Sequence, residues 1–148
     1  LVKLGILPDL EGEWRQEVSL VHNEAGLFED SWVRVGFSPE SDSPWLRGLG
    51  EMDVPIRHGE GRFVVGSAEI RRRLADERRV AVRYLGGNPN GSTDEIAGIV
   101  DRTGRVLGMM PHPEAFLAPE NHPNWRREPV VATGRLLFEN AVLAARRV

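Results

Sequence analysis

The run from Val106 to Met110 is apolar and strand-like, and the chain leaves it through Pro111-His112-Pro113-Glu114. Each proline fixes its own φ at about −65° and drives the residue before it toward extended geometry. A strand that ends this way cannot run on into a helix, and it carries an imidazole and a carboxylate on one short, stiff loop. His112 sits between two rigid residues, and Glu114 is close enough to orient it. A base held by an orienting acid is two thirds of a catalytic triad. The missing third is a nucleophile, and the chain has no cysteine. From spacing alone the pair reads equally well as a hydrogen-bonded histidine in an ordinary strand-end loop.

Length bounds the rest. At 148 residues the chain is one domain or part of one. Apolar residues make up 41 % and charged residues 28 %, an ordinary globular balance. The net charge is −3 with both signs interspersed, unlike the basic face of a nucleic-acid binder. No apolar run approaches the roughly 18 residues that span a bilayer, so neither nucleic acid nor membrane is expected as a partner. There is no signal-peptide pattern, and the expected compartment is the cytoplasm. Without cysteine there are no disulfides and no thiolate metal sites.

Hydrophobic patterning gives an α/β chain. Leu1 to Pro8 reads as the last turn of a helix, with Gly5 as its C-terminal cap and Pro8 as its stop. Such a helix is expected to start before Leu1. Strands are expected over Glu17–Val21, Trp32–Phe37, Met52–Ile56, Arg62–Val65, Val80–Tyr84, Ile96–Val100 and Val106–Met110. The last two are joined by the hairpin signal Asp101-Arg102-Thr103-Gly104. Pro44 to Leu49 suits a short helix. Ser67 is a good N-cap for a helix over Ala68–Glu77 that buries Ile70 and Leu74. A final helix is expected over Ala132–Ala145, with a stripe of Leu136, Leu137, Asn140, Ala141 and Ala144. Strands with flanking helices favour an α/β sandwich.

Other candidates are weaker. His58-Gly59-Glu60-Gly61 is a second His-x-Glu loop at a second strand end, and its glycines let a ligand approach the backbone. A glycine turn with solvated charges explains it equally well. Two such loops could supply metal ligands only if the fold brought them together, and no metal is expected. Asn88 to Ser92 reads as a tight turn rather than a glycosylation acceptor. His22 and His122 read as structural or exposed. The four tryptophans read as core or rim packing, and Arg71-Arg72-Arg73 as a solvated helix face.

Taken in order, several segments resemble a specific family. They are Leu4-Gly5-Ile6-Leu7-Pro8, His22-Asn23 with Phe28-Glu29 and Trp32-Val33, and Pro55-Ile56 with His58-Gly59-Glu60-Gly61 and Phe63. Asn88-Pro89-Asn90-Gly91-Ser92 with Ile96-Ala97-Gly98-Ile99 follows, then Gly108 to Glu114. This collinear set resembles the glutaminase part of phosphoribosylformylglycinamidine synthase, a class I glutamine amidotransferase of purine synthesis. The resemblance implies a flavodoxin-like open α/β sheet with flanking helices and a Cys-His-Glu triad that hydrolyses glutamine through a thioester. It implies a synthase subunit or domain as partner, which takes the ammonia to make formylglycinamidine ribonucleotide. ATP and Mg are expected there, and no cofactor in this chain. On the matching positions, His112 and Glu114 are the expected triad base and acid, and His58, Gly59, Glu60 and Gly61 are expected near the glutamine.

The family's nucleophile lies in a Gly-x-Cys-Asn-Gly-x elbow before the helix that leads into Leu-Gly-Ile-Leu-Pro. Residues 1–148 are therefore expected to be the C-terminal portion of one amidotransferase domain. They should lack the elbow and first strands, be inactive alone, and expose an unpaired sheet edge or apolar face. Leu27, Ser31 and Ala115 stand where the family has arginines, and Ala25 where it has serine. These departures bear on synthase docking and loop geometry and leave the dyad untouched. Two alternatives stay open: a non-catalytic docking or regulatory module with the same fold, and a class I amidotransferase with another acceptor.

Overall fold

The computed structural model describes residues 1–146; the last two residues of the expected domain, 147 and 148, lie outside them. Its strands are β1 (Val18–Val21), β2 (Glu29–Phe37), β3 (Glu51–His58), β4 (Arg62–Val65), β5 (Val80–Leu85), β6 (Ile96–Val100) and β7 (Leu107–Met109). The helices are α1 (Ala68–Asp76) and α2 (Gly134–Ala145), with short 3₁₀ turns between. Five strands form an open sheet in the order β3-β2-β5-β6-β7, and β1 pairs with β4 in a separate two-stranded sheet. Every pairing is antiparallel. The α/β open sheet with flanking helices is thus present, and among the described residues its strands are paired antiparallel.

Most elements fall where their residues predict. β5 runs one residue further than expected, to Leu85, and two strands are longer by three residues each, because pairing carries them past their apolar runs. β2 begins at Glu29 and β3 continues to His58, since Asp30 faces Arg57 and Glu29 faces His58 in the ladder. Arg57 and Asp30 add an ion pair at 3.2 Å. His58 is therefore a strand residue rather than a loop residue. The expected hairpin joins β6 to β7, with the Asp101 carboxylate accepting from Thr103 N–H, Thr103 Oγ1 (2.6 Å) and Val106 N–H (2.9 Å).

The opening helical turn is a 3₁₀ turn over Val2–Leu4 ended by Gly5 in the left-handed region, φ 70°. Gly5 is required twice over: a Cβ there would also stand 2.1 Å from the Trp14 carbonyl oxygen. Ser67 caps α1 by accepting from Ile70 N–H at 3.2 Å.

Two apolar clusters hold the layers together. Leu74 of α1 is fully buried with Leu7, Val18, Phe63, Val80, Ile96 and Ile99, and Ile70 packs against them. Leu137 of α2 packs with Val35, Met52, Val54, Ile56, Val82, Ala97 and Val100. β6 feeds both, sending Ile96 and Ile99 to one and Ala97 and Val100 to the other. In α2 the inward stripe is narrower than expected. Leu137 is buried, whereas Leu136 is 43 % exposed. Adjacent residues on a helix differ by about 100°, so only one of the two leucines can face the sheet.

β3 and β7 form the edges of the larger sheet. Beside β6 and β7 lies an open apolar cleft of about 320 Å³, lined by Leu1, Val2, Leu7, Phe63, Ile99 and Met109 among others. No helix among the described residues is long and apolar enough to cross a membrane.

Candidate functional site

The loop after β7 folds as its prolines require. Met110 N–H still bonds to Ala97 O at 2.9 Å, and His112 N–H bonds to Pro55 O on β3 at 2.8 Å. Pro111 and Pro113 are buried, while the His112 side chain is 40 % and the Glu114 side chain 58 % exposed. Pro113–Ala115 then makes one 3₁₀ turn. Across that turn His112 Nδ1 lies 2.6 Å from Glu114 Oε1. A carboxylate can only accept, so Nδ1 carries a proton, and in the neutral ring Nε2 is the nitrogen with the lone pair. This is the tautomer a general base needs.

The second loop is organised differently. His58 is 6 % exposed and its ring is enclosed in a buried polar network. Asn23 Oδ1 accepts from Gly61 N–H at 3.1 Å and lies 3.0 Å from His58 Nδ1. Asn23 Nδ2 donates to the Leu27 and His58 carbonyls, both at 2.8 Å, which fixes the amide orientation. His58 Nδ1 is therefore a donor, and Nε2 faces the Asn90 Nδ2 donor at 3.5 Å, an arrangement that suits the neutral ring. Burial pushes its pKa down, and His112 acts in the same direction. Asn90, 1 % exposed, donates to the Gly61 carbonyl at 2.8 Å. Its Oδ1 accepts from Ser92 Oγ at 2.6 Å. Tyr84 borders the same network, and burial pushes its phenol up to about 12.

The consequence is a loop tied inward at Gly61, with Gly59 half-buried and its carbonyl taking the Asn23 N–H at 2.9 Å, and with Glu60 exposed. A Cβ on Gly61 would stand 2.3 Å from His58 Nδ1, so this position must be glycine for the ring to fit. Glu60 does not pair with His58. It faces His22 at 3.6 Å, and both are exposed. The two His-x-Glu loops do not pool their ligands, and no group of three or more histidines and carboxylates among the described residues is arranged to hold a metal.

Spacing did not single out Asn23 or Asn90 as organisers of this region. Asn90-Gly91-Ser92 does form the expected turn, but Asn90 points inward. Its burial explains why the acceptor-like triplet is inaccessible. Of the two expectations for His122, structural or exposed, its packing fits the structural one. Its ring lies 4.6 Å from Trp32, and Trp32 meets Phe116 edge-on at 5.1 Å. Asn124 N–H donates to His122 Nδ1 at 3.2 Å. Within the stretch Asn121 to Trp125, these contacts give His122 and the Asn124 backbone a structural part. Trp45 packs on the core, whereas Trp14 is 70 % exposed and contributes no core packing. The arginine run is only partly a solvated face: Arg71 reaches Asp94, and Arg73 binds Glu77 at 2.7 Å and also Glu11.

Known proteins of one family resemble this chain. The CobB/CobQ-like glutamine amidotransferase domain family matches residues 1–143. A phosphoribosylformylglycinamidine synthase subunit PurQ from Dehalococcoides mccartyi is 35 % identical over 156 aligned positions, covering 100 % of this chain and 60 % of the relative. The PurQ subunit of a Synechococcus species is 44 % identical, covering 66 % of this chain and 49 % of the relative. A solved structure, PurLQS from Thermotoga maritima, matches with a TM-score of 0.65 and 26 % identity, covering 86 % of this chain and 52 % of that one. The chain spans 60 % or less of the length of each of these proteins.

Proposed function

We propose, from the premise that this chain belongs to the CobB/CobQ-like glutamine amidotransferase domain family, that it carries the acid–base half of a glutaminase. That glutaminase supplies ammonia to a synthase converting formylglycinamide ribonucleotide to formylglycinamidine ribonucleotide. The observation that carries the reading is the 2.6 Å contact between His112 Nδ1 and Glu114 Oε1 on a turn docked to β3. The PurQ identity of its relatives supports the choice of acceptor, and nothing favours a purely docking or regulatory module.

In this reading His112 Nε2 takes the proton of a cysteine thiol, a group that residues 1–148 do not contain. The thiolate attacks the glutamine side-chain carbonyl carbon. As the tetrahedral intermediate collapses, the C–N bond breaks and the His112 proton goes to the departing ammonia. A thioester remains. His112 then draws a proton from water, the hydroxide adds to the thioester carbon, and the thiolate leaves as glutamate forms. Glu114 holds the base in its working tautomer and stabilises the imidazolium between the two proton transfers. Residues 58–61 border the glutamine, with Gly59 and Glu60 as the accessible part. The synthase subunit or domain is the partner, ATP and Mg²⁺ act there, and the compartment is the cytoplasm.

The test is ammonia release from glutamine, measured with the synthase present. The cysteine-free chain should release none. The same chain fused behind a segment with the Gly-x-Cys-Asn-Gly elbow should be active. Activity in the cysteine-free chain, or full activity of the fusion after His112→Ala, overturns the proposal.

A further inference from the structure

The dyad turn is held by two features that lie outside the proton-transfer residues. The first is the ring of Phe116, the residue that ends the turn. Phe116 is 2 % exposed and sits edge-on to Trp32 at 5.1 Å, with His122 5.7 Å away. Trp32 is opposite Pro55 in the β2–β3 ladder, and Pro55 O is the acceptor for His112 N–H. Both ends of the turn are therefore fastened to the same ladder position.

The second feature is the start of α2. Gly134 is buried, and a Cβ built there would lie 2.0 Å from Pro113 O, 2.9 Å from Pro113 C and 2.7 Å from Phe116 O. These are backbone atoms, which cannot swing aside as a side chain would. α2 cannot easily retreat, because Leu137 is in the core and Asn140 Nδ2 donates to the Trp45 and Arg47 carbonyls at 3.0 and 2.8 Å. Any side chain at 134 must therefore displace the turn. Pro113 lies between His112 and Glu114, so moving its peptide alters the relation of the two side chains. Reacting groups displaced by about 1 Å can lose on the order of 10² in rate.

We infer that Gly134 and Phe116 are positioning residues for the His112–Glu114 pair, gripping its turn by close backbone approach and by aromatic packing. The functional importance of this grip rests on the glutaminase reading above; its geometric content does not.

The first measurement uses the chain itself. Imidazole ¹⁵N shifts of His112 report its tautomer, and amide exchange across β2 and β3 reports the sheet. The wild type should show the Nδ1–H form. Gly134→Ala should lose that single form while exchange protection of β2 and β3 is kept. If Gly134→Ala does not fold, Phe116→Leu decides, and it should give the same loss with the sheet intact. A folded variant that keeps the Nδ1–H form unchanged overturns the inference. The second measurement is kinetic, in the fusion carrying the cysteine elbow. Gly134→Ala should lower kcat by roughly 10- to 100-fold with KM within about twofold. An unchanged kcat, or a loss confined to KM, overturns the positioning role. If His112→Ala leaves that fusion fully active, the glutaminase reading fails instead, and the tautomer experiment still judges the grip.

Discussion

Asn23 engages His58 with both ends of its carboxamide: Oδ1 lies 3.0 Å from the ring Nδ1, and Nδ2 donates to the His58 carbonyl at 2.8 Å. The two residues are 35 positions apart, and the same oxygen also takes the Gly61 N–H. One side chain thus fixes the tautomer of a buried histidine and the path of the loop after it. Asn23→Ala leaves these buried groups without partners, and each such group costs roughly 1–3 kcal/mol. The urea midpoint should fall accordingly. An unchanged midpoint would show that water replaces the amide without loss.

Burial of neutral His58 makes stability depend on pH. Its folded pKa lies below the ordinary 6.5, so the unfolded chain takes up the proton first. The contribution is complete above about 6.5 and is lost as pH falls through that value toward the folded one. His58→Gln should flatten the slope of stability against pH in this window relative to wild type. Below it, Asp53, hydrogen-bonded by Arg34, and Asp94, hydrogen-bonded by Arg71, both sit under the ordinary 3.8 and add a second, more acidic loss. Urea titrations at stepped pH on both proteins are the check, and parallel profiles near pH 6 would contradict the assignment to His58.

The two glycines of the 58–61 loop should respond unequally. Gly61→Ala forces a Cβ to within 2.3 Å of the His58 ring and should cost about 1–3 kcal/mol through overpacking. At Gly59 the nearest atom to a new Cβ is Phe28 Cδ2 at 3.8 Å, an ordinary contact. Gly59→Ala should therefore leave the melting temperature nearly unchanged. Equal losses in the two variants would mean that backbone freedom, not the space beside His58, sets the requirement.

In the elbow fusion, His112→Ala should lower glutaminase turnover by on the order of 10² to 10⁴-fold. Glu114→Gln should cost less, because the base remains and only its orientation suffers. Steady-state ammonia release distinguishes these outcomes, and a larger loss for Glu114→Gln would reverse the assigned roles.

The apolar cleft beside β6 and β7, together with the free edge of β7, should make the isolated chain self-associate. Sedimentation velocity over a concentration series tests this. A monomer at every concentration, with a sharp unfolding transition, would count against it.

Local chemistry determined a good deal of this protein by sequence alone. Ser67 begins α1, Gly5 closes the first turn, and the Asp101–Gly104 hairpin joins β6 to β7, because each depends on residues a few positions apart. The His112–Glu114 contact belongs to this class, since Pro111 and Pro113 leave the loop few other conformations. What the sequence could not decide were relations between distant segments. Asn23, His58 and Asn90 each look like turn or loop residues until the β1–β2 connection, the end of β3 and the 88–92 turn converge and bury these side chains together. Gly134 carries no local signal at all, because its requirement arises only where α2 meets the backbone of Pro113 and Phe116. Leu136 and Leu137 are equivalent in composition, and only the docking of α2 on the sheet decides which is buried. Short-range sterics and hydrogen bonds act before the chain has folded; burial and close packing between remote segments exist only after it has.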